Sequence, residues 1–217
     1  MRPPDGEPKH MSSMDWGKHW ETDEEPEGAR DFAEKMADRL REFMGGNGIG
    51  SVADYGCGPA TTLFRLAEHF SDIDFYGYDV AASIIKKNTE RARELGLANL
   101  SFGQDSLPNS RNTKTFDLVT CFSTLHYVEE IACAIKRLFE LVNPGGYLIF
   151  NYPNTYTRKT FQEDIQPDDE YMKRRFALLL AGRNLISQRR IGKILGVRPE
   201  KFYSSINSNI YILVHKA

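Results

Sequence analysis

"SVADYGCGPATT", residues 51–62, is the stretch on which the fold turns. Ser51, Val52 and Ala53 read as the end of a buried strand. Asp54 follows, then Gly56, Gly58 and Pro59, and then "ATTLFRLAEHF", an apolar-periodic stretch that predicts a helix. A strand, a glycine turn and a helix in this order build a ligand site. Glycine lets the backbone come close to a bound molecule, and a helix start offers N–H groups without intrahelical partners.

The same rhythm continues outward in both directions. Residues 27–44 place Phe32, Met36, Leu40 and Phe43 at helical spacing, and "GGNG" at 45–48 ends that helix. Strands are predicted over 50–55, 73–79, 100–105, 116–122 and 147–152, with helices over 59–70, from Ala81 to Gly96 and over 128–142, and with "NPGG" as a turn. Five short apolar strands alternating with helices give an α/β fold: a doubly wound, mostly parallel sheet covered by helices on both faces. After residue 152 the rhythm changes. Residues 153–200 read as a helical cap, with two basic helices over 168–196, and "KFYSS" and "NIYILVHK" read as strands joined by "INS". A connection that short permits only an antiparallel hairpin, so the sheet reaches seven strands with a reversed last strand.

The 217 residues suffice for a single domain, expected over 15–217 behind a flexible tail over 1–14 in which translation starting at Met11 or Met14 is plausible. Hydrophobic residues make up 41% and charged residues 27%, an ordinary globular composition, and the net charge of −2 gives no global basic character for nucleic acid. No apolar run is long enough for a membrane span, and the proline-rich N-terminus lacks the apolar core of a secretory signal. Three cysteines, an odd number, argue against a disulfide framework and for a reducing, cytoplasmic setting. Cys57 reads as a small apolar filler and Cys121 and Cys133 as core. The five histidines show no ligand spacing, so no metal site is expected.

Two families use such a first loop. The dinucleotide fingerprint is G-x-G-x-x-G or A, but the run from Gly56 is G-C-G-P-A-T, with Thr61 at the sixth place. Asp54 is also foreign to that pattern. Asp79, at the end of the second strand, suits any ligand with a ribose diol. Taken with "FYGYD", "GQDSLP", "FDLVTCFSTLHYVEE", "LVNPGGYLIF" and the closing hairpin, "VADYGCGPA" makes the chain resemble the class I S-adenosylmethionine-dependent methyltransferases over about residues 15–217.

The resemblance implies S-adenosyl-L-methionine as cofactor. It places Asp54 and the backbone of Gly56 and Gly58 at the methionine end and Asp79, with Val80 beside it, at the ribose. Asp105 and the Ser106 backbone fall at the adenine, and the backbone near Phe122 at the α-amino group. The family's third glycine is Ala60 here. A small residue starting a helix needs no positive φ, so the change is expected to matter little to cofactor binding.

The acceptor is less legible. "FSTLHYVEE" lacks the Asp/Asn-Pro-Pro-aromatic motif of nucleic-acid amino-methyltransferases and the cysteines of the RNA cytosine type. It resembles the group that methylates O or N, less often C or S, of small molecules. Two catalytic candidates follow the fourth strand: His126 as a general base and Tyr127 as an orienting group. Residues 15–26, with Trp16, His19 and Trp20, read as a lid or as a plain packing helix. The bases Lys173, Arg174, Arg175, Arg183, Arg189, Arg190 and Lys193 read either as a solvated face or as a surface for an anionic acceptor. A macromolecular acceptor such as tRNA or protein, and a non-catalytic cofactor-binding partner, stay open as alternatives.

Overall fold

The computed structural model describes residues 14–22, 27–204 and 209–217. Two helices open the chain, α1 (Trp16–Thr22) and α2 (Glu27–Gly45). They are followed by β1 (Ser51–Tyr55), α3 (Thr61–His69), β2 (Asp74–Asp79), α4 (Ala82–Glu94), β3 (Leu100–Gln104) and β4 (Phe116–Cys121). A single 3-10 turn, Leu125–Tyr127, leads to α5 (Ile131–Glu140) and β5 (Val142–Asn151). Helices α6 (Thr155–Asp164), α7 (Glu170–Arg175), α8 (Ala177–Ala181) and α9 (Gln188–Leu195) then precede β6 (Glu200–Ser204) and β7 (Ile210–His215).

The seven strands form one sheet in the order β3-β2-β1-β4-β5-β7-β6. The first five are mutually parallel, whereas β7 runs antiparallel to both β5 and β6. The reversed hairpin is therefore as the short connection requires, although "INS" itself lies outside the described residues. Strand alternation splits the core into two layers. Val52, Leu118 and Ile149 pack on the α2 and α3 side with Met36, Leu40, Leu63 and Phe64. Their neighbours Ala53, Val119 and Leu148 face the opposite layer, with Ile135 and Leu138 of α5 and Ile191 of α9. Because the strand order reverses between β1 and β4, a crevice opens beyond their C-terminal ends, where this class of sheet takes its ligands. No helix among the described residues is long and apolar enough to cross a membrane.

Several local expectations need correction. The helix expected over 128–142 is shorter, running only Ile131–Glu140, because Val128 is extended after the 3-10 turn Leu125–Tyr127 and Val142 already opens β5. "NPGG" lies within β5, where a register shift against β4 absorbs the irregular residues. The basic region 168–196 holds three helices, since Phe176 and Gly182 interrupt it, and α6 precedes them. Cys133 is exposed. The buried face of α5 is Ile131, Ala134, Ile135 and Leu138, and a residue between those positions on a 3.6-residue helix points away.

The entry to α3 carries the correction nearest the ligand crevice. Ala60 has φ 57°, in the left-handed region, contrary to the expectation that this position needs no positive φ. The turn forces it. Gly56 and Gly58 also have positive φ, and the Ala60 N–H must fold back to the Cys57 carbonyl at 2.8 Å before the Ala60 carbonyl can accept from Phe64. A Cβ in that region costs roughly 1–2 kcal/mol. Ala60→Gly is therefore expected to raise unfolding stability by about 1 kcal/mol, read as a higher urea midpoint at unchanged slope. An unchanged or lowered midpoint would contradict this.

Candidate cofactor and acceptor site

A cavity of about 250 Å³ fills the crevice. It is walled by the glycine turn, the ends of β2 and β4, the loop after β3 and the inner faces of α1 and α2. All eight residues expected to hold a cofactor line it: Asp54, Gly56, Gly58, Asp79, Val80, Asp105, Ser106 and Phe122. Tyr127 lines it as well; His126 is not part of the wall.

Each polar group at the base has a defined partner. Asp54, at 7% exposure, accepts from the Thr120 hydroxyl at 2.8 Å. Burial pushes its carboxyl up to about 7, with a contribution from Asp79 nearby. Asp79 accepts from the Gly58 N–H through Oδ2 and from the Ala81 N–H through Oδ1, both at 3.0 Å. Burial raises its carboxyl too, against the opposing pull of these backbone donors. Asp105 organises its own loop, accepting from the Ser106 N–H at 2.9 Å and the Ser110 hydroxyl at 2.5 Å.

The turn is closely fitted. Gly56 has φ +77°, and a Cβ there would lie 2.1 Å from Thr124 Oγ1, so only glycine fits beneath the β4 loop. Asn151 at the end of β5 holds that loop by accepting from the Ser123 N–H at 2.7 Å. The donors of the glycine turn are already committed. The Gly56 and Cys57 N–H groups donate to the Tyr78 carbonyl at 2.7 and 3.0 Å, Gly58 donates to Asp79, and Ala60 to Cys57. A pyrophosphate would find none of these four N–H groups available. The lining offers carboxylates instead, which suits a ligand carrying positive charge.

Helix α1 roofs the cavity. Trp16 and Trp20 line it, and the Trp20 ring comes within 3.1 Å of where a Gly58 Cβ would sit. The helix is tied down on two sides. The Ser83 hydroxyl donates to the Gly17 carbonyl at 2.9 Å and Lys87 donates to the Trp20 carbonyl, both from α4. His19 Nδ1 shares a 2.9 Å hydrogen bond with the Tyr171 hydroxyl of α7. Residues 23–26 of the expected lid lie outside the described residues.

The 3-10 turn separates the two residues proposed for chemistry. Its roughly 120° step sends neighbouring side chains in different directions. Tyr127 faces the cavity, 4.6 Å from Trp16 between ring centroids. His126, 3% exposed, faces the cap instead, with its ring 6.3 Å from that of Phe161. Its Nε2 has no hydrogen-bond partner among the described residues, and burial pushes its pKa down to about 4, so it is neutral at physiological pH. Asn184 fixes this turn by donating towards the Leu125, His126 and Val128 carbonyls, at 2.8 Å for His126.

Sequence reasoning did not single out Thr120, Thr124, Phe32 or Ala33 for the site. Thr124 sits three residues past the end of the fourth strand, and the glycine opposite it is the signal that would have found it. Phe32 carries only the helical spacing of a core residue, and nothing in the sequence marks it as cavity-lining.

The chain is similar in sequence and in fold to known methyltransferases. The ubiquinone biosynthesis O-methyltransferase of Serratia proteamaculans is 28% identical over 110 residues, covering 50% of this chain and 44% of that protein. The trans-aconitate 2-methyltransferase of Methylobacterium radiotolerans is 28% identical over 107 residues, covering 49% and 39%. The matched region thus spans less than half the length of either relative. In fold, the chain is similar to the magnesium protoporphyrin IX methyltransferase of Synechocystis PCC 6803, solved with S-adenosylhomocysteine. The TM-score is 0.63 at 18% identity, with 93% of each chain covered. The sequence profile of the methyltransferase domain family matches residues 50–204, from the strand before the glycine turn to the sixth strand. With that match covering most of its length and the strand order to go with it, the chain belongs to the methyltransferase domain family.

Proposed function

We propose that this chain transfers a methyl group from S-adenosylmethionine to an oxygen or nitrogen atom of a small-molecule acceptor, chiefly by holding the two reactants in line. The observation that carries the reading is the acceptor-rich base of the cavity, with Asp54 and Asp79 buried beneath an aromatic roof and the donors of the glycine turn already paired. S-adenosylmethionine, the family's cofactor, supplies a methyl group already activated on a sulfonium. Asp54 and the carbonyls near Phe122 would hold the ammonium, Asp79 beside Val80 the ribose hydroxyls, and Asp105 with the Ser106 backbone the adenine. Trp16, Trp20 and α1 exclude water, and Tyr127, packed beside Trp16, orients the acceptor. Positioning of this kind contributes several kcal/mol to lowering a barrier.

We assign His126 a structural role rather than that of general base, because it is buried outside the cavity wall and turned towards the cap. The small-molecule reading is favoured over a macromolecular one by the basic helices. Arg174, Arg189 and Arg190 are exposed, but Arg175 turns into the cavity, so the basic side chains divide between two surfaces. The relatives named above, acting in ubiquinone biosynthesis and on trans-aconitate, point the same way.

Incubation with methyl-labelled S-adenosylmethionine and separated pools of metabolites, RNA and protein tests the function. Label is expected in a small molecule, and His126→Gln is expected to keep at least about a fifth of the turnover. Label confined to RNA or protein, or no transfer at all, would overturn the reading. A loss of about a hundredfold or more in the variant would restore His126 as a base.

The Asp54 carboxyl gives a pH signature. Its folded-state pKa, raised to about 7 from an ordinary 3.8, keeps it protonated below neutrality, whereas an ammonium beside it favours the ionised form. Binding of S-adenosylhomocysteine should therefore release up to one proton below pH 7. Affinity should rise as pH rises towards 7, by at most about tenfold per unit, and level off until the ligand's own α-ammonium titrates at about pH 8. Calorimetry in two buffers of different ionisation enthalpy checks this. Proton release at pH 6 that vanishes at pH 8.5 is expected, and no release at pH 6 would contradict the assignment.

A further inference from the structure

Arg175, at the end of α7, is the single basic side chain among the described residues that line the cavity. It is half-buried, and its Nε donates to the Tyr127 hydroxyl at 3.1 Å. The Tyr171 hydroxyl also lies within its hydrogen-bonding reach. The guanidinium sits among aromatic rings, 5.8 Å from Trp16, 5.9 Å from Tyr127 and 5.6 Å from Phe176. Other arginines of the molecule have carboxylates: Arg65 pairs with Glu34, Arg137 with Glu140 and Arg183 with Glu129. No ion pair to Arg175 occurs among the described residues. Two phenols are neutral acceptors and leave its charge unbalanced in a partly desolvated place, which is costly without a counter-charge.

We infer that Arg175 determines acceptor specificity by binding a carboxylate of the acceptor, whose apolar body lies against Trp16 and Tyr127. The inference rests on the methyltransferase reading. A guanidinium has five N–H donors in a planar fork, and bonds to the two phenols use two of them, leaving three for a carboxylate. One positive charge matches one negative charge. Asp54, Asp79 and Asp105 share the cavity and would repel the second charge of a phosphate ester, so a carboxylate is the anion that fits. The methionine carboxylate of the cofactor is a second source of the same chemistry, and the experiment separates the two.

The test uses the purified full chain saturated with S-adenosylhomocysteine and ligand-observed NMR. The probes are cinnamate, phenylacetate and 4-hydroxybenzoate, each matched with its primary amide, plus phenyl phosphate. Acids are expected to bind at least about tenfold more tightly than their amides. That preference should disappear in Arg175→Gln and survive in part in Arg175→Lys. The affinity of Arg175→Gln for S-adenosylhomocysteine should stay within about twofold of wild type, which also shows that the variant is folded. Absence of acid preference in the wild type, including no binding by any probe, would overturn the inference. So would a preference that survives Arg175→Gln, or phenyl phosphate binding more tightly than the acids. A tenfold loss of S-adenosylhomocysteine affinity in that variant would assign Arg175 to the cofactor instead. If Arg175→Gln fails to fold, the wild-type acid preference and its reduction in Arg175→Lys decide the matter. Failure of the wild type to bind S-adenosylhomocysteine would remove the methyltransferase reading itself and this inference with it.

Discussion

The Asp79 carboxylate holds the ligand crevice together. One oxygen takes the Gly58 N–H and the other the Ala81 N–H, so the turn after β1 is clamped to the end of β2 and to the start of α4. Hydrogen bonds to a charged group contribute roughly 1.5–3 kcal/mol each, more than neutral ones. The clamp has two consequences. It fixes the left-handed residues Gly58 and Ala60 against their tendency to relax, and it commits a donor that a phosphate ligand would need. Asn88, from α4, reinforces it by donating to the Gly58 carbonyl at 2.7 Å. The site is thereby biased towards acceptors before any ligand arrives.

Burial then sets the charge state. Asp54 and Asp79 are both largely out of water, which raises each carboxyl, and Asp79 lies close enough to raise Asp54 further. Loss of water is the main cause of the upward shift at Asp54, and the neighbouring Asp79 carboxylate adds to it. Near the β4 loop the same low exposure works on a base, keeping His126 neutral. The cavity thus separates into an acidic base under α1 and an aromatic wall of Tyr127 and Trp16 that holds a lone guanidinium.

The sheet was legible because its strands carry continuous apolar runs and its turns carry glycine. Val52, Leu118 and Ile149 mark positions no solvent reaches. The acids were legible because each stands at a strand's C-terminal end, the position where this topology gathers its ligands. The limits have equally local causes. Ala60 looks like an ordinary helix start, and only the folded turn shows that its φ must be positive. His126 and Tyr127 are adjacent in sequence, and a 3-10 turn rather than an α-helix decides which one faces the cavity. Arg175 stood among several bases of similar appearance. The breaks at Phe176 and Gly182 shape the cap around it, and no periodicity announces which base turns inward.

The central claim is that the glycine turn, clamped by Asp79 and lined with carboxylates, receives a cationic adenosyl sulfonium or its product and not a dinucleotide. Isothermal calorimetry of the wild type and of Asp79→Ala with S-adenosylmethionine, S-adenosylhomocysteine and NAD tests it most directly. Binding of the first two by the wild type, no binding of NAD, and a loss of about tenfold or more in the variant is the predicted result. Binding of NAD in their place, or equal affinities in wild type and variant, would contradict it.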